Sequence, residues 1–248
     1  MQEALSLKQI SKIYERKIAL SSLSFSINRG ESVALIGPSG AGKTTLLNLL
    51  AAIISPNQGE VLIDGRPLSE LMDQKMRAKK IGIIRQQFDL VGELPVIHNV
   101  LAGRLTEWGI FKSLLSLVIP QDKEYAIQAL RRVGLTDKLY ERTSSLSGGE
   151  QQRVALARLL VQSPEIVLAD EPVASLDPAR AEDILGLLVN IASEENQTLI
   201  ASLHSVDYAR KYFDRLIALK DGELFFDLPA SSVTDDQINS LYRLKELS

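Results

Sequence analysis

The octapeptide Gly37-Pro38-Ser39-Gly40-Ala41-Gly42-Lys43-Thr44 decides how this chain reads. It fits G-x-x-x-x-G-K-[ST], a pattern in which a glycine-rich loop curls so that successive backbone N–H groups face one anion. The flanks fit as well. Ser32-Val33-Ala34-Leu35-Ile36 precedes it, a short apolar run that predicts a strand covered on both faces. Residues 43–54 follow, with Leu46, Leu47, Leu49, Leu50 and Ile53 in helical spacing, and Pro56-Asn57-Gln58-Gly59 breaks that helix. Strand, glycine loop and helix in this order set a phosphate at a helix N-terminus. Lys43 can then reach β- and γ-phosphates as a mobile cation, and the Thr44 hydroxyl can ligand Mg2+. A chance glycine turn beside a lysine is the plain alternative, and the strand–loop–helix setting argues against it.

A second apolar run, 166–169, delivers Asp170 and Glu171 to its C-terminal end, where open α/β sheets bind ligands. A phosphate loop alone does not hydrolyse a nucleotide. It needs a carboxylate for Mg2+ and a group that orients the attacking water. Asp170 suits the first role and Glu171 the second; an acidic turn before the helix that begins near Pro178 is the bland alternative. A third run, 198–202, ends near His204. Between the phosphate loop and these carboxylates lies Leu146-Ser147-Gly148-Gly149-Glu150, ahead of a helix expected over 151–160. Ser-Gly-Gly before a helix is another anion-binding start. One chain does not need two such cradles. A dimer does, if each copy completes the other's site.

The remaining patterns give the fold class. Residues 5–10 and 22–27 alternate in part and predict strands of an antiparallel flap, and Asn28-Arg29-Gly30 is a turn signal between the second of them and the apolar run at 32–36. A strand over 60–63 and a turn over 64–67 follow, residues 89–160 read as mainly helical, and Asp221-Gly222 signals a hairpin between 215–220 and 223–227. Apolar strands alternating with helices mean an α/β architecture with a mainly parallel core sheet. To it are added an N-terminal antiparallel β-subdomain and an inserted helical subdomain. The expected division is a nucleotide-binding core over 1–88 and 161–248, with a helical lobe over 89–160, within one domain.

Composition excludes several classes. The 248 residues hold 28 Lys and Arg against 31 Asp and Glu, a net charge of −3 that gives no basic excess for nucleic acid. With no cysteine, disulfides, thiolate catalysis and Cys-ligated zinc are out; with two histidines, His98 and His204, a multi-His metal site is out too. No run approaches the roughly 18–20 apolar residues of a membrane-spanning helix. The longest candidate, 110–119, is too short and carries Lys112, Ser113 and Ser116. The start, Met1-Gln2-Glu3-Ala4, lacks a secretory leader's pattern, so the chain reads as soluble on its own. His98 reads as structural, and Trp108 with 110–119 as packing within the helical lobe rather than a partner surface.

Taken in order, these motifs resemble the ATP-binding subunit of ABC transporters over about the whole chain. The resemblance makes Gly37 to Thr44 the Walker A loop, with Pro38, Ser39, Gly40, Ala41, Gly42, Lys43, Thr44 and the adjoining Thr45 around the phosphates. It makes Asp170 the end of Walker B and Glu171 the catalytic base. Ser147, Gly148 and Gly149 become the signature motif, with Glu150 as a common variant at its last place, and Ser175-Leu176-Asp177 the D-loop. His204 becomes the switch histidine, Gln86 the Q-loop glutamine that senses Mg2+ and water, with Gln87 its neighbour, and Tyr14 the ring that stacks on adenine. The implied cofactors are ATP and Mg2+, the metal on Thr44, Gln86 and Asp170. The implied catalytic set is Glu171, His204, Lys43 and Gln86. The implied partners are a second copy of the chain, two integral-membrane permease subunits and a separate solute-binding protein, on the cytoplasmic face of the inner membrane.

Within that family, Pro172-Val173-Ala174 after the carboxylates, Phe88-Asp89-Leu90-Val91 after the glutamines and the extended segment 104–120 resemble the ATPase of phosphonate importers and their phosphite-type relatives. The competing expectations are an ABC subunit for another solute, a soluble ABC ATPase acting on DNA or ribosomes, and an ATP-switched module without turnover. The second lacks the added modules such proteins carry. The third is disfavoured by the presence of both Glu171 and His204.

Overall fold

The computed structural model describes residues 2–15, 17–70, 73–108, 110–116, 120–174 and 176–243. In chain order its strands are β1 (Glu3–Tyr14), β2 (Lys17–Asn28), β3 (Ser32–Ile36), β4 (Gln58–Ile63), β5 (Arg66–Pro67), β6 (Ile81–Ile84), β7 (Ile166–Asp170), β8 (Thr198–Ser202), β9 (Arg215–Lys220) and β10 (Glu223–Pro229). Its helices are α1 (Lys43–Leu50), α2 (Gln74–Lys80), α3 (Val96–Leu101), α4 (Ile110–Ser116), α5 (Lys123–Arg132), α6 (Gly148–Gln162), α7 (Pro178–Glu194), α8 (Val206–Tyr212) and α9 (Asp235–Tyr242).

Two sheets organise them. An antiparallel sheet runs β2-β1-β4-β5, and a core sheet runs β10-β9-β3-β8-β7-β6. In the core sheet every pairing is parallel except the β9–β10 hairpin. The three apolar runs are its centre, β3, β8 and β7, and their period of two sends alternate side chains to opposite faces. Ala34, Ile36, Val167, Ala169 and Ala201 join one core with α3, α5, α6, α7 and α8. Val33, Leu35, Ile166, Leu168 and Ile200 join the other, with α1 and the antiparallel sheet. The expected α/β class, with its mainly parallel core and antiparallel β-subdomain, is what the chain adopts.

Three elements differ from the sequence reading. The first two strands are longer than 5–10 and 22–27, because the ladder continues to Tyr14↔Lys17 through register shifts that simple alternation does not reveal. The helix after the phosphate loop stops at Leu50 rather than running to residue 54. Ala52 turns left-handed at φ 55, and the N–H of Ile53 returns to the Asn48 carbonyl at 3.0 Å, closing the end. The edge strand β6 was not expected; its four residues sit between Lys80 and Arg85, too short a run to separate from a helix end. Among the described residues, no helix is long and apolar enough to cross a membrane. Phe111 on α4 is 90% exposed, so it lies outside the lobe packing expected of 110–119, although Trp108 does pack on the core. Residues 117–119 and Ser175 lie outside the described residues.

Candidate active site

The phosphate loop leaves β3 and enters α1 between two neighbouring chain segments. Gly37, at φ 145, lies so close to β9 that a Cβ there would sit 2.1 Å from the Leu219 carbonyl oxygen. Gly42, at φ 102, would place a Cβ 2.7 Å from the Ala19 carbonyl oxygen on β2. Only glycine fits both the angle and the approach. The tip of the β9–β10 hairpin braces the loop from below: Gly222 N–H donates to the Ala41 carbonyl at 3.3 Å and its own carbonyl accepts from Ser21 N–H at 2.8 Å.

Above the loop is a cleft of about 480 Å3, lined by Tyr14, Lys17, Ala19, the loop from Ser39 to Thr45, Glu171 and His204. Lys43 donates to the carbonyls of Gly37 at 2.7 Å and Pro38 at 3.2 Å, and is 6% exposed. Burial pulls its pKa below the ordinary lysine value, while the carboxylates of Glu171 and Asp170 oppose that shift. Tyr14 is half exposed at the end of β1, opposite Lys17 across the hairpin, with the Lys12 ammonium 5.3 Å from its ring centre.

The carboxylates stand at the C-terminal edge of the core sheet, as the strand reading required. Asp170 Oδ1 accepts from Thr44 Oγ1 at 3.2 Å and from Ser202 Oγ at 2.7 Å. Glu171 Oε1 lies 2.5 Å from His204 Nε2, across the end of β8. Hydroxyl and carboxylate oxygens meeting at Thr44 and Asp170 are the hard donor set that Mg2+ takes, usually with one or two carboxylates and the rest from phosphates and water. Among the described residues no group of three or more His, Asp or Glu side chains gathers at one point.

The structure thus brings Tyr14, Ser39, Gly40, Ala41, Gly42, Lys43, Thr44, Thr45, Glu171 and His204 to one cleft, with Asp170 bonded to it through Thr44. Gly37 and Pro38 form the loop's floor. Besides Gly37, Pro38 and Asp170, five expected residues are absent from the cleft lining. Gln86 is exposed on the turn after β6. Ser147 caps α6, accepting from Glu150 N–H while the Glu150 carboxylate accepts from the Ser147 N–H, and Gly148 and Gly149 are that helix's first turn. Asp177 caps α7 by accepting from Arg180 N–H at 3.2 Å. A Cβ on Gly148 would meet nothing within 4 Å, so that helix start opens to free space.

Sequence reasoning missed Ser202 and Lys17. Lys17 carries no motif and is recognised only once the hairpin carries it to the cleft mouth. Ser202 ends an apolar strand as an unremarkable small polar residue; its importance lies in the register that sets it against Asp170.

Comparison with known proteins agrees with this geometry. The family described as ABC transporter matches residues 20–174. The chain is 48% identical over 234 residues to the phosphonates import ATP-binding protein PhnC 1 of Pseudomonas syringae pv. syringae, covering 93% of this chain and 88% of that one. It is 44% identical over 245 residues to the protein of the same name from a Nostoc species, covering 96% and 92%. Among solved structures, the dimeric post-hydrolysis state of the ATP-binding cassette MJ0796 bound to ADP and Pi matches with TM-score 0.78 at 34% identity, over 91% of this chain and 98% of that one. With a phosphate loop, a carboxylate pair and a family match that runs through both, the chain belongs to the ABC transporter family, as one of its ATP-binding and ATP-hydrolysing subunits.

Proposed function

We propose that this chain drives an importer for phosphonates or related phosphorus oxyanions. It works as a homodimer beneath two integral-membrane permease subunits, peripheral on the cytoplasmic face of the membrane, with a separate solute-binding protein delivering the cargo. The similarity to phosphonate import subunits over more than nine-tenths of the chain supports the solute class. No feature of the cleft recognises the cargo.

The chemistry rests on one observation: Glu171 and His204 meet in the same cleft as Lys43. ATP enters with its adenine on Tyr14 and its phosphates in the loop from Gly37 to Thr45. Lys43, held over the loop by the Gly37 and Pro38 carbonyls, exchanges those bonds for the β- and γ-phosphates. Thr44 and Asp170, with Gln86, would hold Mg2+, which when bound would neutralise phosphate charge. Glu171 orients water for in-line attack and takes its proton, and His204 steadies the transferring group.

The second half of the site comes from the other copy. Ser147, Gly148 and Gly149 lie outside this chain's own cleft, at an open helix start suited to an anion. ATP bridging the two copies favours a closed dimer, and hydrolysis removes the bridge. Residues 89–160 act as the helical lobe, passing closure to the permease through the turn at Gln86 and the segment beyond it.

The solute assignment is tested in proteoliposomes containing this chain with a permease and a solute-binding protein of a phosphonate importer. Phosphonate-loaded binding protein raises phosphate release severalfold over the unloaded protein. Stimulation by an unrelated solute, with none by phosphonates or phosphite, overturns the assignment.

A further inference from the structure

Ser202 is the last residue of β8 and has no solvent exposure. Parallel register sets it opposite Asp170 on β7. Its hydroxyl accepts the Glu171 backbone N–H at 2.9 Å and lies 2.7 Å from Asp170 Oδ1. An amide N–H can only donate, so the hydroxyl proton is left for the carboxylate. One buried side chain therefore holds both of the adjacent acidic residues, one by its carboxylate and the other by its backbone.

The backbone at Glu171 needs holding. It is left-handed, at φ 49, a conformation that a non-glycine residue keeps only where its surroundings impose it. Two hydrogen bonds pin it: the N–H to Ser202, and the carbonyl to Ala174 N–H at 3.3 Å. From this left-handed residue the carboxylate reaches His204 Nε2 at 2.5 Å. At Asp170 both hydrogen bonds, from Ser202 and Thr44, fall on Oδ1. Among the described residues no hydrogen bond occupies Oδ2, which stays available to a hydrated cation.

We propose that Ser202 is a positioning residue for hydrolysis: it orients the Asp170 carboxylate for the metal and locks the strained Glu171 backbone in the geometry that aims its carboxylate. This rests on the reading that Asp170 holds Mg2+ and Glu171 orients water. A buried serine that merely satisfies its neighbours would affect stability alone. A positioning serine affects metal binding and turnover while leaving metal-free nucleotide binding intact.

Three variants separate these possibilities: Ser202→Ala, Ser202→Thr and, as control, Glu171→Gln. Phosphate release is measured against ATP and against Mg2+. Mn2+ binding in the presence of ADP is followed by electron paramagnetic resonance, and metal-free ADP binding and melting temperature are recorded alongside. For Ser202→Ala the account expects kcat to fall about tenfold or more, KM for ATP to stay within about twofold, and Mn2+ binding to weaken about threefold or more, with metal-free ADP binding unchanged. Ser202→Thr, which keeps the hydroxyl, recovers most of the lost turnover. Ser202→Ala with kcat and Mn2+ binding both within about twofold of the parent overturns the proposal, and so does a loss that tracks metal-free ADP binding and melting. If Glu171→Gln turns over normally, it is the underlying reading of the site that fails, whatever Ser202 does.

Discussion

The Glu150 carboxylate accepts from the Ser147 N–H at 2.8 Å and from the Ser147 hydroxyl at 2.7 Å. These bonds hold its pKa below the ordinary glutamate value, the side-chain hydroxyl contributing most and the backbone N–H next. A carboxylate whose folded pKa is depressed stabilises the fold above its unfolded pKa, and that stabilisation is lost as pH falls through the folded value. Glu150→Gln keeps an acceptor for the cap but cannot titrate. Its melting temperature should sit below the parent's at neutral pH, and the gap should close as pH falls below about 4. A gap that does not narrow as falling pH protonates the carboxylate would show that the charge on Glu150 contributes nothing to the cap. Order and spacing made Lys43, Asp170 and Glu171 readable, as parts of a strand–loop–helix and of a second strand end, and the family resemblance placed His204. Ser202 was not readable, since a serine at a strand end has many uses and only the register against Asp170 selects this one.

Elements are joined by contacts that no motif encodes. The guanidinium of Arg158 on α6 donates to the carbonyls of Phe88 at 2.7 Å and Asp89 at 2.8 Å. Both of those residues are left-handed, at φ 49 and φ 47, on the turn just after Gln86. Burial lowers the pKa of Arg158, with the Asp89 charge opposing. Asn99 on α3, almost fully buried, adds a second tie: it accepts from Val91 N–H at 2.8 Å and donates to Thr143 Oγ1 at 2.9 Å. Gln151 on α6 then donates to the carbonyls of Leu146 at 3.1 Å and Thr143 at 3.3 Å. The turn beside Gln86 and the helix start at Ser147 therefore belong to one hydrogen-bonded unit. Arg158→Lys removes the forked donor and keeps the charge, at a cost of about 1–2 kcal/mol. Hydrogen exchange should speed up at residues 86–91 before it does so in the core strands. Unchanged protection there would show that Arg158 does not hold the turn. At this scale the apolar strands β3, β7 and β8 were plain in the sequence because both their faces are buried. β6 was not, because a four-residue edge strand next to basic residues leaves no periodic trace.

The whole molecule is two sheets locked together beneath one cleft. Arg215 at the start of β9 pairs with Asp227 on β10 at 2.5 Å and 2.6 Å, with Glu31 at 3.0 Å, and with the Ser26 carbonyl on β2 at 2.9 Å. Its hydrogen bonds to Asp227 raise its pKa, so its charge is permanent. Lys80 joins Asp64 at 2.8 Å to Glu165 at 2.6 Å, and Arg29 contacts the same two carboxylates, linking the antiparallel sheet to the start of β7. Tyr14, from one sheet, and the phosphate loop and Glu171, from the other, line the same cleft. What one molecule does not do is bring its own Ser147, Gly148 and Gly149 to that cleft. The central claim is that hydrolysis needs Glu171 and a second copy of the chain. The most direct test is Glu171→Gln, with mass in solution measured by light scattering in ATP and Mg2+ and phosphate release measured on the same sample. The expected result is a dimer in ATP, a monomer in ADP, and phosphate release reduced about 100-fold or more. Phosphate release at the parent's rate, or a monomer at saturating ATP, would contradict it.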